Sequence, residues 1–269
     1  MITLYVLGSG SRGNCFAVES EGMALLIDAG FSAREVERRA TAAGLDLGQV
    51  AGIVLTHEHG DHACGAPLLA RRLGVPVLTA PGTWRHLAVE MDVAEHRSLG
   101  LCARVEVGPF TVEACPTSHD AAEPLAIVVR SAEGASVGVA YDLGRPTSGV
   151  RYLLRNLTAI VLEANHDEVQ LRTSEYPPVV QRRIAGSGGH LSNRAAADLL
   201  VELHHPGLRA VVLAHLSQQC NTAAEARATV ARALRRAGFR GALHVADQDR
   251  PLAPILVVQK VGVQLALAL

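Results

Sequence analysis

Six consecutive residues, His57-Glu58-His59-Gly60-Asp61-His62, constrain the fold of this chain more than any other feature. They set three imidazoles and a carboxylate in an H-x-H-x-D-H pattern directly after the apolar run Gly52-Ile53-Val54-Leu55. The strand that ends at Leu55 must release them into a loop at its C-terminal edge. As an i, i+2 pair in extended backbone, His57 and His59 point the same way. Neutral imidazole and carboxylate are the usual N/O ligands for zinc and for manganese- or iron-like ions. One tetrahedral ion cannot readily use four ligands packed this tightly, whereas two ions can divide them. The motif points to a dinuclear hydrolytic site.

The chain has 269 residues and is 49% hydrophobic, enough for a substantial core. No linker, low-complexity stretch or charge block interrupts it, so residues 1–269 are expected to form a single domain. A net charge of −1 announces no nucleic-acid partner by itself; a local basic patch stays open, because the cations are almost all Arg and Lys260 is the one lysine. Cysteines at 15, 64, 102, 115 and 220 form no C-x-x-C and are odd in number, which reads as reduced thiols in an intracellular, cytoplasmic protein. The N-terminus runs straight into a strand pattern, so no signal peptide is expected. No apolar run reaches ~18 residues, so no membrane span is expected. The apolar tail 255–269 reads as a terminal strand or a subunit contact, which leaves a homo-oligomer open.

Short apolar runs predict strands at 2–7, 16–19, 23–27, 53–55, 77–79, 110–115, 125–130, 136–140, 160–162, 210–213 and 243–245. Helices are expected from Ser32 as a cap to about 43, with Arg and Glu on the outer face, and at 63–73, 82–93, 150–156, 192–204 and 222–237. Both halves are β-rich at first and then α/β. Periodicity supports α/β or α+β and no finer architecture.

More candidate ligands stand at strand ends: Asp28 after Leu25-Leu26-Ile27, His119 in Thr117-Ser118-His119-Asp120, Asp142 in Tyr141-Asp142-Leu143-Gly144, and His215 after Val211-Val212-Leu213-Ala214. Each alone reads as a cap or turn residue; beside the six-residue cluster, convergence on one sheet rim is the stronger reading.

With these residues in order, the chain resembles the metallo-β-lactamase-fold hydrolases, carried also by Leu26-Ile27-Asp28-Ala29-Gly30. The resemblance implies a four-layer αββα sandwich. It implies one metal on His57, His59 and His119, another on Asp61, His62 and His215, Asp142 bridging both, and Asp28 behind the ligands orienting their imidazoles. The cofactors would be two divalent ions, Zn or Mn, with Fe possible. Asp142 and His215 are 73 residues apart, too close for a β-CASP insertion, and His119 and Asp142 only 23, too close for the arm of the tRNA 3′-processing enzymes. A nearer likeness is to the WalJ/YycJ-like branch. It is carried by Gly8-Ser9-Gly10-Ser11-Arg12-Gly13-Asn14-Cys15, Ser118-His119-Asp120-Ala121-Ala122-Glu123-Pro124, Glu163-Ala164-Asn165-His166-Asp167, Tyr176-Pro177 with Arg182-Arg183, Gly189-His190-Leu191-Ser192-Asn193 and Leu213-Ala214-His215-Leu216-Ser217. That branch implies a DNA-directed phosphodiesterase, a 5′-to-3′ exonuclease on duplex DNA, with a metal-bridging hydroxide as nucleophile.

In that reading His190, just before a helix that Ser192 can cap, is the acid that protonates the leaving oxygen, and Glu163 holds its imidazole. His166 could reach the metals, contact DNA or only cap a helix. Arg172, Arg182 and Arg183, with Tyr176, form either a basic, stacking-capable wall for DNA or a solvated charged face. The loop 8–13 reads as a turn ahead of a phosphate cradle. Cys64 is expected to pack inside its helix, and His86, His96, His204, His205 and His244 to be structural or exposed. The competing functions are a thioester, lactone or glyoxalase-type hydrolase on the same metals, and a non-catalytic metal-binding regulatory protein. The complete ligand set argues against the latter.

Overall fold

The apolar runs become strands buried on both faces, and their period-2 alternation splits them between two cores. The structure, a computed structural model, describes residues 1–87, 95–100 and 103–259. The first sheet contains β1 (Ile2–Gly8), β2 (Cys15–Ser20), β3 (Met23–Ile27), β4 (Val50–Val54), β5 (Val77–Thr79) and β6 (His96–Ser98). The second contains β7 (Arg104–Val107), β8 (Phe110–Pro116), β9 (Leu125–Ser131), β10 (Ser136–Ala140), β11 (Ala159–Glu163), β12 (Ala210–Ala214) and β13 (Ala242–Val245). A last strand, β14 (Ile255–Val257), returns to pair antiparallel with β1, giving the order β14-β1-β2-β3-β4-β5-β6 opposite β13-β12-β11-β10-β9-β8-β7.

Leu4, Phe16, Leu25, Ile27 and Val54 of the first sheet share one buried core with Phe110, Val129, Val139, Val161 and Val212 of the second. Each such side chain contributes roughly 1.5–3 kcal/mol when fully buried. The opposite faces are covered by helices: α1 (Ala33–Ala43), α2 (Gly60–Ala63), α3 (Ala66–Leu73) and α4 (Pro81–Leu87) follow strands of the first sheet. α5 (Ser148–Leu153), α6 (Glu168–Thr173), α7 (Pro178–Ile184), α8 (Asn193–Leu203) and α9 (Ala223–Arg236) follow strands of the second, whose outer face packs mainly on α5, α8 and α9. The result is a four-layer αββα sandwich, the architecture that the resemblance implies.

Parallel register is what builds the rim. Ile27 pairs with Val54, Ala140 with Leu162 and Glu163 with Ala214, so β3, β4, β10, β11 and β12 all end at one edge. The caps expected at Ser32 and Ser192 form: Ser32 Oγ accepts from Glu35 N–H at 3.3 Å and Ser192 Oγ from Ala195 N–H at 3.2 Å.

Several expectations change. The helix expected at 63–73 is two helices, because the chain breaks at Cys64-Gly65, where Gly65 N–H donates to Ala29 O at 2.8 Å. Cys64 is therefore exposed at the end of α2 rather than packed inside, its thiol 3.3 Å from Gly30 O. Arg39 leaves the outer face of α1: it is buried, donates to Leu7 O at 2.9 Å and lies 3.9 Å over the Phe31 ring. α4 and α5 begin at Pro81 and Ser148, the latter capped by Thr147, and the part of the helix expected beyond residue 87 lies outside the described residues, as do Cys102 and the tail from 260. β6, β7, α6 and α7 were not anticipated. No helix among the described residues is long and apolar enough to cross a membrane.

Candidate metal centre

Asp28, Asp142 and His215 each end or follow a buried strand with a left-handed backbone, φ 57°, 51° and 54°. That conformation is uncommon for non-glycine residues and costs of order 1–3 kcal/mol unless its surroundings hold it. Here it turns three polar side chains off the strand ends into the rim.

Three imidazoles form one group: His57 Nε2 lies 3.1 Å from His59 Nδ1, and His119 Nε2 3.3 Å from the same atom. Asp61, His62 and His215 form another, with Asp61 Oδ2 3.3 Å from His62 Nε2 and 3.5 Å from His215 Nε2. Asp142 lies between them, its Oδ2 2.7 Å from His62 Nε2 and 3.7 Å from His57 Nε2. Within each triad the candidate ligand atoms all fall within 4.8 Å of one another.

The far ring nitrogens are committed elsewhere, which fixes the rings. His57 Nδ1 is 3.0 Å from Thr56 Oγ1, His62 Nδ1 2.6 Å from Asp28 Oδ2 and His215 Nδ1 3.0 Å from Glu163 Oε1. Asp28 also accepts from Thr56 N–H, the Thr56 hydroxyl and the Tyr141 hydroxyl, each at 2.7 Å. Two buried atoms, Asp142 Oδ2 and His215 Nε2, face only other candidate ligands: His62 and His57 for the first, Asp61 for the second. Buried imidazole and carboxylate atoms that turn toward one another in this way suit divalent cations, so the residues present fit metal ions.

The electrostatics agree. Burial works against charge on His62 and His215, but Asp142 outweighs it and raises both well above the usual histidine value, with Asp28 also acting on His62. Burial and the nearby His62 push His57 well below that value. Asp142 is driven well below the carboxylate range against its burial by His215 and His62.

Beside the cluster, His190 Nδ1 lies 2.8 Å from Glu163 Oε1 and 3.1 Å from Asp142 Oδ1. Burial opposes its charge, yet Glu163 and Asp142 raise it to about 9. Glu163 also accepts Leu143 N–H and Leu191 N–H at 2.8 and 2.9 Å and, against its burial, is held near 2, chiefly by His190. Gly189 makes this approach possible: a Cβ there would stand 2.2 Å from Arg183 O.

A cavity of about 190 Å³ opens over the cluster, lined by residues including His59, His119, His190, Asn165, Ser11 and Arg183. Arg183 is gripped by Asp120 at 2.6 and 2.8 Å. Arg172, Arg182 and Tyr176 stand outside that lining, so of the four expected wall residues only Arg183 reaches it. His166 is buried and belongs to none of the candidate ligand groups, and its backbone is bridged to Ser192.

Sequence reasoning missed the supports. Asn14 Nδ2 lies 3.2 Å from His62 Nε2, and Asn14 Oδ1 accepts from the Ser9 hydroxyl at 2.7 Å. Ser9 in turn accepts from His215 N–H at 2.8 Å. The loop 8–13 is thus a turn that braces ligand candidates from both sheets. Gly30 lets it close in, since a Cβ there would meet Asp61 O at 1.7 Å. The signal available was proximity alone: Asn14 closes the glycine-rich loop and Tyr141 adjoins Asp142.

Residues 8–124 match the model of the Metallo-beta-lactamase superfamily. The chain is 33% identical, over 87% of its length and 89% of the relative's, to Exodeoxyribonuclease YycJ of Bacillus anthracis. It is 28% identical, over 80% and 82%, to Exodeoxyribonuclease WalJ of Streptococcus pneumoniae. Among solved structures it superposes on the metallo-beta-lactamase fold protein YhfI of Bacillus subtilis with a TM-score of 0.70 at 16% identity, covering 93% of this chain and 98% of that one.

Proposed function

Since the chain belongs to the metallo-beta-lactamase superfamily, in the branch of YycJ and WalJ, and is a metal-dependent hydrolase, we propose that it is a dinuclear phosphodiesterase, a 5′-to-3′ exonuclease acting on DNA. The reading takes residues 1–269 as one hydrolase domain. His57, His59 and His119 would hold one divalent ion, Asp61, His62 and His215 the other, with Asp142 shared. Zn or Mn suits this donor set, and Fe is compatible with it. Such ions, when bound, lower the pKa of water and neutralise charge developing on phosphate.

The chain's own part is positional and protonic. Thr56, Asp28 and Glu163 fix the ligand tautomers through their far nitrogens. Asp142 would keep the two groups in register. Hydrolysis forms a bond from a water oxygen to phosphorus and breaks the P–O3′ bond, and the departing 3′-oxygen needs a proton. His190 would supply it, kept protonated by Glu163 beneath it. Arg183 would release Asp120 to meet a backbone phosphate. Arg182, Tyr176 and His166 would contact DNA outside the cavity over the cluster.

The observation that carries the reading is the placement of the His190 imidazole, 2.8 Å from Glu163 and 3.1 Å from Asp142, in the wall of the cavity over the cluster. A thioester or lactone hydrolase on the same ligands does not require such a proton donor. The test compares wild type with His190→Ala on linear duplex DNA and on bis(p-nitrophenyl) phosphate, with metal content measured alongside. DNA cleavage should fall by ~10²–10⁴ while both metals stay. Undiminished cleavage would remove His190 from the role. Fast thioester hydrolysis without nuclease activity under any of Zn²⁺, Mn²⁺ and Mg²⁺ would transfer the assignment to the thioester class.

A further inference from the structure

Behind His190 lies a second cavity, of about 340 Å³, where α6, the end of α7 and the first turn of α8 meet. His190 is the one residue common to its lining and that of the cavity over the cluster. The other walls include His166, Leu171, Arg172, Ala185 and Ala195. His166 is 3% exposed and its Nδ1 has no hydrogen-bond partner, so a buried polar atom in this wall is left unsatisfied by the protein. Leu171, Leu191 and the two alanines add apolar surface. Glu168, which accepts from the Ser192 hydroxyl at 3.1 Å, and Arg172 put opposite charges in the wall.

We propose that this cavity receives the terminal nucleoside of the strand being cut, on the leaving-group side of the scissile bond. The inference rests on the nuclease reading above. A proton donor must touch the departing 3′-oxygen, so the nucleoside that carries this oxygen lies on the His190 side, away from the ligand groups. In a 5′-to-3′ exonuclease that group is a single nucleotide; in the opposite polarity it is the rest of the strand. A cavity with apolar walls, one unsatisfied imidazole nitrogen and room for about one nucleoside matches the first case. It gives the base surface to pack on and a polar atom to meet.

The test uses metal-loaded full-length protein and linear duplexes whose 5′-terminal residue is either a normal nucleotide or an abasic tetrahydrofuran analogue. For the first cleavage, kcat/KM should fall about tenfold with the abasic end and change little when the analogue is moved to the third position. Ala185→Trp, which fills the cavity, should erase the difference between the two ends. Calorimetry with deoxyadenosine 5′-monophosphate reads the site without turnover: binding should weaken about tenfold in Ala185→Trp and in His166→Leu, which keeps volume but removes the polar atom. Equal rates on both ends, or nucleotide affinity unchanged in both variants, overturns the cavity assignment while leaving DNA cleavage intact. Loss of the nuclease reading would show instead as no wild-type cleavage with any metal.

Discussion

Two buried carboxylates organise the rim, one from each sheet, and they differ in what they hold. Asp28 and Glu163 are both fully buried. Asp28 accepts from Thr56 twice, from His62 and from Tyr141, all of them buried groups. Glu163 accepts from Leu143 and Leu191 on one oxygen and faces His215 and His190 with the other. The side chain of His190 is 23% exposed and lines both cavities. Asp28 therefore holds buried groups alone, whereas Glu163 joins a buried ligand candidate to the partly exposed imidazole proposed as the proton donor.

Glu163→Gln strikes the comparison hardest. An amide offers one acceptor oxygen, so its NH₂ must face either two backbone N–H groups or two imidazoles. We expect DNA cleavage to fall by ~10²–10⁴ together with loss of metal, read by a digestion assay and metal analysis on the same preparation. Full activity in this variant would break the parallel. Asp28→Ala should lower metal affinity by ~10–100-fold without a selective effect on the leaving-group step, read as equal losses on DNA and on an activated aryl phosphodiester.

A pH experiment separates the ligand candidates themselves. Asp142 raises His62 and His215 well above the usual histidine value against their burial, whereas burial and the nearby His62 lower His57. Ligation requires neutral imidazole, so metal binding should release protons and affinity should fall as pH is lowered. Calorimetry in two buffers of different ionisation enthalpy would count those protons, and a count of zero would contradict the assignment. The smallest effect belongs to Arg183→Ala: the guanidinium is 72% exposed, so stability should change by less than about 1 kcal/mol while KM for DNA rises a few-fold.

The asymmetry between the two carboxylates was only half visible beforehand. The ligand candidates were legible because His119, Asp142 and His215 each follow an apolar run, as His57 does, and the six-residue cluster gave such strand-end residues a place to converge. Asp28 was legible the same way. Glu163 could be linked to His190, but its contact with His215 depends on the parallel register of β11 and β12, which pairs Glu163 with Ala214. The left-handed backbones of Asp28, Asp142 and His215 leave no mark in residue type. α6 and α7 were hidden because each is too short to show a helical period. The break at Gly65 did leave a mark, Gly65 followed by Pro67, but the apolar pattern runs across it, and the Phe31 carbonyl that would stand 2.1 Å from a Cβ at residue 65 is a tertiary reason for the glycine.

The most direct test of the central claim is the digestion of linear duplex DNA labelled at its 5′ ends by protein loaded in turn with Zn²⁺, Mn²⁺ and Mg²⁺. The account predicts that label leaves first as a mononucleotide with at least one of these ions, and that His190→Ala, still carrying its metals, leaves the label on the strand. Release of label from wild type and His190→Ala at the same rate, or its retention by wild type under every ion, would contradict it.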